Sequence, residues 1–425
     1  MSNSFSKEER VAFEDLLEGF QDALVLSRNV SVYNTNSTEM ERSNNTIWRP
    51  QPYIATSVDS TPGTALAAYK NFTQLSVPAT LGYSKTVPWT MTALELRDAL
   101  QEGRLGDSAK QKLASDINVA IMNTAANYGS LVVPIAAAAG DYDDVALCDA
   151  IMNEQGVPDY DRFLALSSRD YNGLAGNLAA ATRSFGNAKS DKAYERSYVG
   201  MVAGFDTYKM DYANRLTAEA VGSITIDTSG SGTQANYVPQ ATSTSVGGQI
   251  NVDNRFQTVT VSATTGVKAG DAFTIAGVYA VHHITKQSTG QLKTFRVVSV
   301  DSGTTMTITP PIIGAQGTPT DAQAQYKNVE VETASDTAAI VWLNVNTAAV
   351  NVFWQRDALE ILPGRYAVPA DAGVAVMRAT TDQGIELVMQ KFYDIDSMTT
   401  KYRLDTLFGV VCKNTEMAGV LLFNQ

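Results

Sequence analysis

The N-terminal stretch has apolar residues at the period of a helix. Ser6 and Glu9 have the spacing of a capping box, in which a hydroxyl and a carboxylate satisfy the free amides at a helix start. The pattern predicts an amphipathic helix with one buried face. Its apolar positions are Val11, Phe13, Leu16, Leu17, Phe20 and Leu24.

The other face of this helix is acidic. Glu14, Glu18 and Asp22 follow one another at intervals of four, so their carboxylates project from one side, and Asp15 lies beside them. The stripe has two interpretations: a solvated surface, or a docking site for a basic partner.

Proline interrupts the chain from Arg42 to Trp89, so that no helix could persist there. We expect extended strands and a long excursion, which in an assembly can lie on a neighbouring copy. The prolines are Pro50, Pro52, Pro62, Pro78 and Pro88.

Two helices are predicted beyond the excursion. Thr92 and Glu95 form a second capping box, for a helix that would reach about Gln101. After two glycines, Asp107 can cap a longer helix of about six turns, a strut, which Gly129 is placed to end. The apolar stripe of this strut is Leu113, Ile117, Ala120, Ile121 and Tyr128.

The second half of the chain has β-type alternation. The stretch from 136 to 221 mixes short helical patterns with glycine-rich turns. From Thr228 to Val252 there is no Asp, Glu, Lys or Arg, which predicts a mobile loop between strands. Short strands with a hairpin at Asp301–Gly303 follow and predict a small inserted barrel or sandwich, about 223–337. The predicted strands are Thr258 to Ser262, Ala272 to Ala276, Thr294 to Val300 and Thr305 to Thr309.

Length and charge limit the classes of function that the chain can have. A chain of 425 residues is long enough for roughly two to four domains. Charged residues are only 18% of it, which suits a protein whose faces meet partners. A net charge of −12 argues against a surface that binds nucleic acid through lysine and arginine, although an acidic balance is also common in cytosolic proteins.

Catalytic and metal-binding patterns are missing from the sequence. His282 and His283, the only histidines, would point to opposite faces of a strand and not chelate one ion. Cys148 and Cys412 have no redox or metal spacing, and are best interpreted as reduced, buried thiols. We therefore expect no enzyme activity, no cofactor and no metal. We also expect no membrane span, and synthesis in the cytoplasm.

Several segments, in the same order along the chain, resemble the major coat proteins of short-tailed double-stranded DNA bacteriophages, the Salmonella-phage group often called P-twenty-two-like. After Leu362 the chain looks more like a sister branch of such coat proteins. The segments are Arg42 to Trp48, Gly129 to Val132, Val202 to Asp206, Asn251 to Phe256, Thr258 to Gly266, Gly266 to Asp271 and Asn351 to Trp354.

This resemblance implies an α+β chain with the Hong Kong 97-type shell fold. It implies an N-terminal arm (1–40); the extended loop, peripheral domain and spine helix (41–135, the helix itself at 107–129); the first part of an axial domain (136–222); an inserted antiparallel β-barrel (223–337); and the remainder of both domains (338–425). We see no long precursor segment ahead of the arm, which argues against a fused scaffold. The run without charged residues, from Thr228 to Val252, argues against ion pairing by the long loop of the inserted domain.

The resemblance also implies a function and partners. One chain would form the hexamers and pentamers of an icosahedral phage head around a separate scaffolding protein, with a portal protein at one vertex, in the cytoplasm of a host bacterium. The head would enclose double-stranded DNA without binding particular sequences, and the acidic stripe would be the scaffold-binding site. Two other classes remain open on the residues alone: a carbohydrate-binding or adhesin-like surface protein, suggested by the Ser/Thr-rich β segment, and a hydrolase with dispersed carboxylates.

Overall fold

The chain folds into two units, each built from segments distant in sequence. The computed structural model describes residues 5, 7–33, 46–51, 55, 57, 60–62, 69–92, 94–95, 99–179, 188–210, 212–227, 236–315, 318–331, 337–368 and 373–424. The first unit comprises Met1–Ile47, Pro78–Ile121 and Leu359–Val411. The second comprises Trp48–Val77, Met122–Ala358 and Cys412–Gln425.

The helices and strands together confirm an α+β chain. The helices are α1 (Lys7–Ala23), α2 (Ala99–Tyr128), α3 (Tyr142–Glu154), α4 (Ser168–Ala179), α5 (Ala188–Arg196) and α6 (Asp321–Tyr326), with 3-10 turns at Ser27–Asn29, Arg356–Ala358 and Thr415–Met417. The strands of the first half are β1 (Ser31–Val32), β2 (Thr46–Pro50), β3 (Ser76–Thr80), β4 (Tyr83–Thr92), β5 (Leu131–Ile135), β6 (Arg162–Ser167), β7 (Met201–Val202), β8 (Phe205–Met210) and β9 (Arg215–Leu216). Those of the second half are β10 (Thr242–Ser245), β11 (Gly248–Asn251), β12 (Gln257–Thr260), β13 (Ala272–Val281), β14 (Ser288–Val300), β15 (Thr305–Thr309), β16 (Val329–Val331), β17 (Ile340–Trp342), β18 (Ala348–Gln355), β19 (Leu359–Pro363), β20 (Ala375–Thr380), β21 (Glu386–Asp394), β22 (Thr399–Cys412) and β23 (Ala418–Phe423).

The first unit is a mainly antiparallel sheet with α1. Its strand order is β1-β19-β22-β21-β20, and β4 pairs with β22 from Thr92 opposite Thr399 to Tyr83 opposite Phe408. Strand β1 runs parallel to its partner, β19. Side chains along β4 alternate between half-buried and exposed, as expected of a strand with one covered face.

The second unit contains a central sheet and a smaller β structure. The central sheet has the order β5-β23-β18-β6-β8-β7, with β9 pairing with β18. Strand β18, which has neighbours on both sides, is buried at every position, so its run of Ala, Val, Phe and Trp is apolar without alternation.

The smaller structure, here called the β-domain, consists of β12 to β17. Its sheet has the order β12-β15-β14-β13-β16, with β17 pairing with β13. The four predicted strands and the hairpin at Asp301–Gly303 are confirmed. Side chains of these strands and of the segments next to them enclose an apolar core: Ile224, Ile226, Val259, Val261, Val267, Phe273, Ile275, Val278, Phe295, Val297, Met306, Ile308, Ile312, Val329, Ala338, Ile340 and Trp342.

The N-terminal helix is confirmed, with one difference in its apolar face. Phe13, Leu16 and Phe20 are buried, but Val11 is 57% exposed. Val11 lies seven residues, about two turns, before Glu18 and so shares the acidic face. The predicted cap at Ser6 lies outside the described residues.

The predicted division into two helices is wrong. One helix, α2, runs from Ala99 to Tyr128 through both Gly103 and Gly106. A glycine in a helix costs only about 1 kcal/mol relative to alanine, so the surrounding turns outweigh two of them. The hydrogen bonds of the Thr92–Glu95 capping box do form, but at the end of β4.

The predicted end of the strut at Gly129 is confirmed. Helix α2 stops at Tyr128, and a Cβ on Gly129 would lie 2.7 Å from the carbonyl oxygen of Ala125 and 2.9 Å from the amide nitrogen of Gly419. No side chain fits between these two backbones, so glycine is required there by close approach.

The uncharged segment is more regular than predicted. Between Thr242 and Asn251 it forms an antiparallel hairpin, β10 with β11, so the prediction of an irregular loop is wrong there. Threonine favours extended structure once a turn brings two such runs together. The turn residues are Val246 and Gly247, and Gly248 follows them as the first residue of β11, at φ 119°. Residues 228–235 lie outside the described residues.

Candidate functional site

The four acidic residues predicted to bind scaffold lie together on the exposed face of α1. Glu14, Asp15, Glu18 and Asp22 are all exposed, whereas Phe13, Leu16 and Phe20 on the other side are buried. Asp22 has a basic neighbour, since Arg28 Nη2 lies 3.9 Å from its Oδ1. The stripe can therefore attract a cationic surface, most strongly around Glu14, Asp15 and Glu18.

Helix α1 is held at its C-terminal end by Asn118 of α2. The amide of Leu26 donates to Asn118 Oδ1 at 3.2 Å, and Asn118 Nδ2 donates to the carbonyl of Ala23 at 3.2 Å. The last carbonyls of a helix lack partners within it, so this side chain satisfies one of them and fixes the following turn.

Gly19 of α1 lies beside Lys110 of α2. A Cβ on Gly19 would meet the end of the Lys110 side chain, which passes there and pairs with Asp107 at 2.7 Å. Because that end is flexible and can move aside, Gly19 leaves room for Lys110 but is not required by close approach of backbone.

A second site, which we call the polar seam, attaches the β-domain to the rest of its unit. The seam consists of Gln155, His283, Lys293, Asn328 and Glu416. Lys293 forms an ion pair with Glu416 and donates to Gln155 Oε1 at 2.8 Å. Asn328 Nδ2 donates to Glu416 Oε1 at 3.3 Å, and His283 Nε2 lies 3.2 Å from Glu416 Oε2.

These groups come from five different places in the fold. Gln155 follows α3, His283 follows β13, Lys293 is on β14, Asn328 precedes β16, and Glu416 is in the 3-10 turn before β23. Further hydrogen bonds run along the same boundary: Thr294 Oγ1 to the carbonyl of Ser130 at 2.7 Å, the amide of His283 to the carbonyl of Gln155 at 3.1 Å, and Arg255 Nη1 to the carbonyl of Cys412 at 2.9 Å.

The seam is charged despite its burial. Burial by itself would raise the pKa of Glu416, but Lys293 and His283 outweigh it and hold that pKa well below the ordinary value. Burial, reinforced by Lys327 and Lys293 and opposed by Glu416, lowers the pKa of Lys286 to about 8. The arrangement therefore fixes ions in place, which is a structural role rather than the poised protonation of a general acid or base.

Sequence reasoning missed the seam. Lys293 lies 138 positions from Gln155 and 123 from Glu416, and no local motif links them. The only signal was a lysine inside a β-patterned run, where a charged residue on a covered face requires a buried partner.

The two histidines have separate surroundings. His282 Nδ1 accepts from the amides of Ile284 and Thr285, both at 3.2 Å, and its ring covers Gly156. His283 turns to the seam. Within the described part of the chain no group of His, Cys, Asp and Glu could hold a metal ion.

Both cysteines are free and buried. Burial raises the pKa of the Cys148 thiol, and it raises that of Cys412 to about 12 against an opposing effect of Arg255. Neither thiol forms the reactive anion at neutral pH.

The end of the predicted excursion lies on its own chain. The amide of Thr73 donates to Gln325 Oε1 at 3.0 Å, while Gln325 Nε2 and the hydroxyl of Tyr326 donate to the carbonyl of Thr73 at 3.2 and 2.8 Å. The chain near Thr73 therefore packs on helix α6 of the same chain, and the expected contact of the excursion with a neighbouring copy stays a prediction. The stretch 63–68 lies outside the described residues.

The hairpin β10–β11 projects its side chains into solvent. Every residue of β11 is exposed, as are Val246 and Ile250. A two-stranded hairpin with apolar side chains exposed and no charge is suited to contact with another surface.

No helix among the described residues has the length and apolarity needed to cross a membrane.

The family comparison assigns the chain to a class of structural proteins. The model of the family described as P22 coat protein, gene protein 5, matches residues 1–424. The chain therefore belongs to the P22 coat protein family, and it is a major capsid protein of a bacteriophage. The resemblance inferred from short segments is confirmed over the whole chain.

The chain is also similar to solved structures of phage proteins. It is 10% identical to a chain of Mycobacterium phage Che8, over 93% of this chain and 90% of that one, with a TM-score of 0.45. For the capsid of the cyanophage P-SCSP1u the identity is 11%, over 93% of this chain and 86% of that one, with a TM-score of 0.44. The CUS-3 coat protein I-domain is 41% identical, over 29% of this chain and 98% of that one, with a TM-score of 0.23.

Proposed function

We propose that this capsid protein assembles as hexamers and pentamers into an icosahedral head, around a scaffolding protein and with a portal protein at one vertex. The head then encloses double-stranded DNA, and assembly takes place in the cytoplasm of the host bacterium. The observation that carries the proposal is the family match over residues 1–424. A closed point-group shell is the economical way for one chain to make a large container.

The test is assembly of the purified chain. We expect closed shells in negative-stain micrographs when the chain is mixed with the scaffolding protein of its own phage. Dispersed monomers or irregular aggregates under all conditions would contradict the proposal.

We propose the Hong Kong 97-type arrangement for the fold. The sheet with α1 and β4 would be the peripheral domain, α2 the spine helix, the central sheet the axial domain, and the stretch near 50–80 the extended loop. The 30-residue length of α2 supports this, because a helix of about 45 Å can serve as a strut.

We propose that the barrel predicted at about 223–337 is closed and that the β-domain extends past that boundary to β17, at Trp342. Hydrogen bonds of residues 224–227 support closure. On one side the amide of Ile226 donates to Ala338 at 2.9 Å, and on the other the amide of Asp227 donates to Thr260 at 3.0 Å. This segment would thus bridge β12 and β17 and remove the free edges of the sheet. Cooperative unfolding of the isolated fragment tests the boundary, and a random-coil spectrum would contradict it.

We propose that Glu14, Asp15, Glu18 and Asp22 bind a basic element of the scaffolding protein. Exposed charge pairs contribute about 0.2–1 kcal/mol each and are screened by salt, which suits a partner that must leave before DNA fills the head. All four carboxylates are exposed on a helix that hydrogen bonds from Asn118 hold in place, as such a site requires.

The test is the triple variant Glu14→Gln, Asp15→Asn and Glu18→Gln. We expect a folded monomer that no longer assembles with scaffold, and wild-type assembly that weakens as salt rises. The matched control neutralises three other exposed carboxylates with Asp143→Asn, Glu154→Gln and Asp159→Asn, and should assemble normally. If the triple variant bound scaffold with unchanged affinity at low salt, the docking site would lie elsewhere.

A further inference from the structure

One carboxylate of α1 points away from the acidic stripe. Glu9 precedes Phe13, Leu16 and Phe20 at helical spacings of four, seven and eleven, so it lies on the buried face. Its side chain is only 11% exposed. A carboxylate in that position requires a fixed partner.

The partner of Glu9 is Lys391 of strand β21. The two side chains form an ion pair, and the hydroxyl of Tyr402 donates to the same oxygen, Oε1, at 3.4 Å. The ammonium group also lies 5.6 Å from the centre of the Tyr402 ring and 6.0 Å from that of Phe5. Aromatic faces attract a cation most when water is excluded, as it largely is around Lys391.

The place where Glu9 docks is built by three neighbouring strands. Lys391 on β21 is opposite Tyr402 on β22, and Tyr402 is opposite Trp89 on β4. The Tyr402 and Trp89 rings stack with their centres 5.5 Å apart and their planes at 11°. Side chains opposite one another in a sheet project from the same face, so Lys391, Tyr402 and Trp89 form one row.

Helix α1 is therefore fastened at both ends. Lys391 holds Glu9 near its start, and Asn118 holds Ala23 and Leu26 at its end. The four exposed carboxylates lie on the helix between these two attachments or within one turn of them.

We propose that Lys391 is a positioning residue for the acidic stripe. By fixing Glu9 it holds α1 in one orientation, so that the carboxylates of Glu14, Asp15 and Glu18 meet a basic helix at matched spacing. This inference rests on the proposed scaffold site and concerns how that site is presented. A prearranged surface loses less conformational freedom when it binds, so releasing one end of α1 weakens binding without removing any contact residue.

The test compares Lys391→Gln with Lys401→Gln in the full-length monomer. Lys401 is an exposed lysine on β22 that pairs with Asp394, so both variants lose one positive charge from the same sheet. Two probes are used: a fluorescent alanine-based helical peptide with lysine at every fourth position, and spermine, a small flexible cation that senses charge alone. Hydrogen exchange of the α1 amides reports whether the helix is released.

We expect Lys391→Gln to bind the helical peptide about tenfold more weakly and to exchange its α1 amides about tenfold faster, with little change toward spermine. Lys401→Gln should match the wild type in all three measurements. The charge swap Glu9→Lys with Lys391→Glu should recover most of the peptide affinity, which a general loss of folding would not allow.

Two outcomes would overturn the proposal. Faster exchange of α1 with unchanged peptide affinity would show that release does not matter for binding, and unchanged exchange would show that the ion pair does not hold the helix. The variant Glu14→Gln, Asp15→Asn, Glu18→Gln separates this failure from that of the scaffold site. If this triple variant binds the peptide normally, both the acidic site and the positioning role of Lys391 are contradicted. If the triple variant loses binding while Lys391→Gln keeps it, only the positioning role is contradicted.

Discussion

The β-domain is held together by one kind of contact and attached to its unit by another. Inside, Phe273 packs on Phe295 and Trp342, with ring centres 5.7 and 5.4 Å apart. At the polar seam, Lys293 and Glu416 are buried ions, each with designated hydrogen-bond partners.

The difference shows where stability and orientation come from. Apolar burial is non-directional and contributes roughly in proportion to area, so the core stabilises the β-domain without specifying how it is attached. A buried ion pair gains little net free energy after desolvation, but it penalises every arrangement that separates the partners. We infer that the core supplies stability and the seam supplies the orientation of the β-domain on the central sheet.

Removing a core side chain should have the largest effect. We expect Phe273→Ala to lower the free energy of unfolding by about 3–5 kcal/mol, through lost burial and the cavity left between Phe295 and Trp342. Urea unfolding of the full-length monomer, followed by tryptophan fluorescence, measures this. Thr258→Ala, at an exposed position on the same sheet, is the control and should stay within about 0.5 kcal/mol of the wild type.

Removing one charge of the seam should lower the free energy of unfolding somewhat less than removing Phe273 does. Lys293→Met leaves Glu416 buried beside His283 and Asn328. We expect a loss of about 3 kcal/mol, because Glu416 loses its ion pair but keeps the hydrogen bond from Asn328. The double variant with Glu416→Gln removes both charges and should lose clearly less than the sum of the two single variants. Additive losses in a double-mutant cycle would contradict the contrast between core and seam.

The free energy of unfolding should depend on pH through Lys286, a buried lysine that is influenced by the charges of Lys293 and Glu416 in the seam. The folded-state pKa of Lys286, about 8, lies below its ordinary value, so between those two pH values the unfolded chain binds more protons. The free energy of unfolding contributed by Lys286 should then rise with pH from about 8 to about 10.4, by an amount on the order of 3 kcal/mol. The measurement is the difference between wild type and Lys286→Met across this range, since the buried thiols titrate in both and cancel.

Deleting the exposed hairpin should change stability least. Replacing residues 242–251 with a short Gly-Ser linker removes side chains that are mostly exposed, so we expect the free energy of unfolding to change by less than about 0.5 kcal/mol. Assembly should nevertheless weaken, because repeated weak hydrogen bonds of about 0.5–1.5 kcal/mol each would be lost between neighbouring capsomers. Shells that form normally from the deletion variant would show that this hairpin contacts no neighbour.

The spacing of apolar residues predicted secondary structure correctly where a segment follows a single helical or strand period. The N-terminal helix and strands such as β12 and β15 were predicted because burial of one face requires regular spacing of apolar residues. The predictions failed where a local preference was outweighed by its surroundings. Gly103 and Gly106 do not end α2, and the serines and threonines near 242–251 form a hairpin instead of a loop.

The candidate sites divide in the same way. The carboxylates of the acidic stripe share one helix, so their common face followed from sequence spacing alone. Glu9 and Lys391 are 382 positions apart, and Gln155 and Lys293 are 138 apart, so these pairs could not be predicted from spacing.

By itself the sequence determined the α+β class, the amphipathic first helix, the β pattern of the second half and, through short segments, the family. These properties depend on neighbours along the chain, where helical and strand periods act directly. Only the tertiary structure decided that α2 is continuous, that Thr73 lies on Gln325 and Tyr326, and that Glu416 is the carboxylate that receives Lys293. Those outcomes depend on which distant groups are desolvated together, and the cost of leaving a buried charge or amide without a partner is set by the folded chain as a whole.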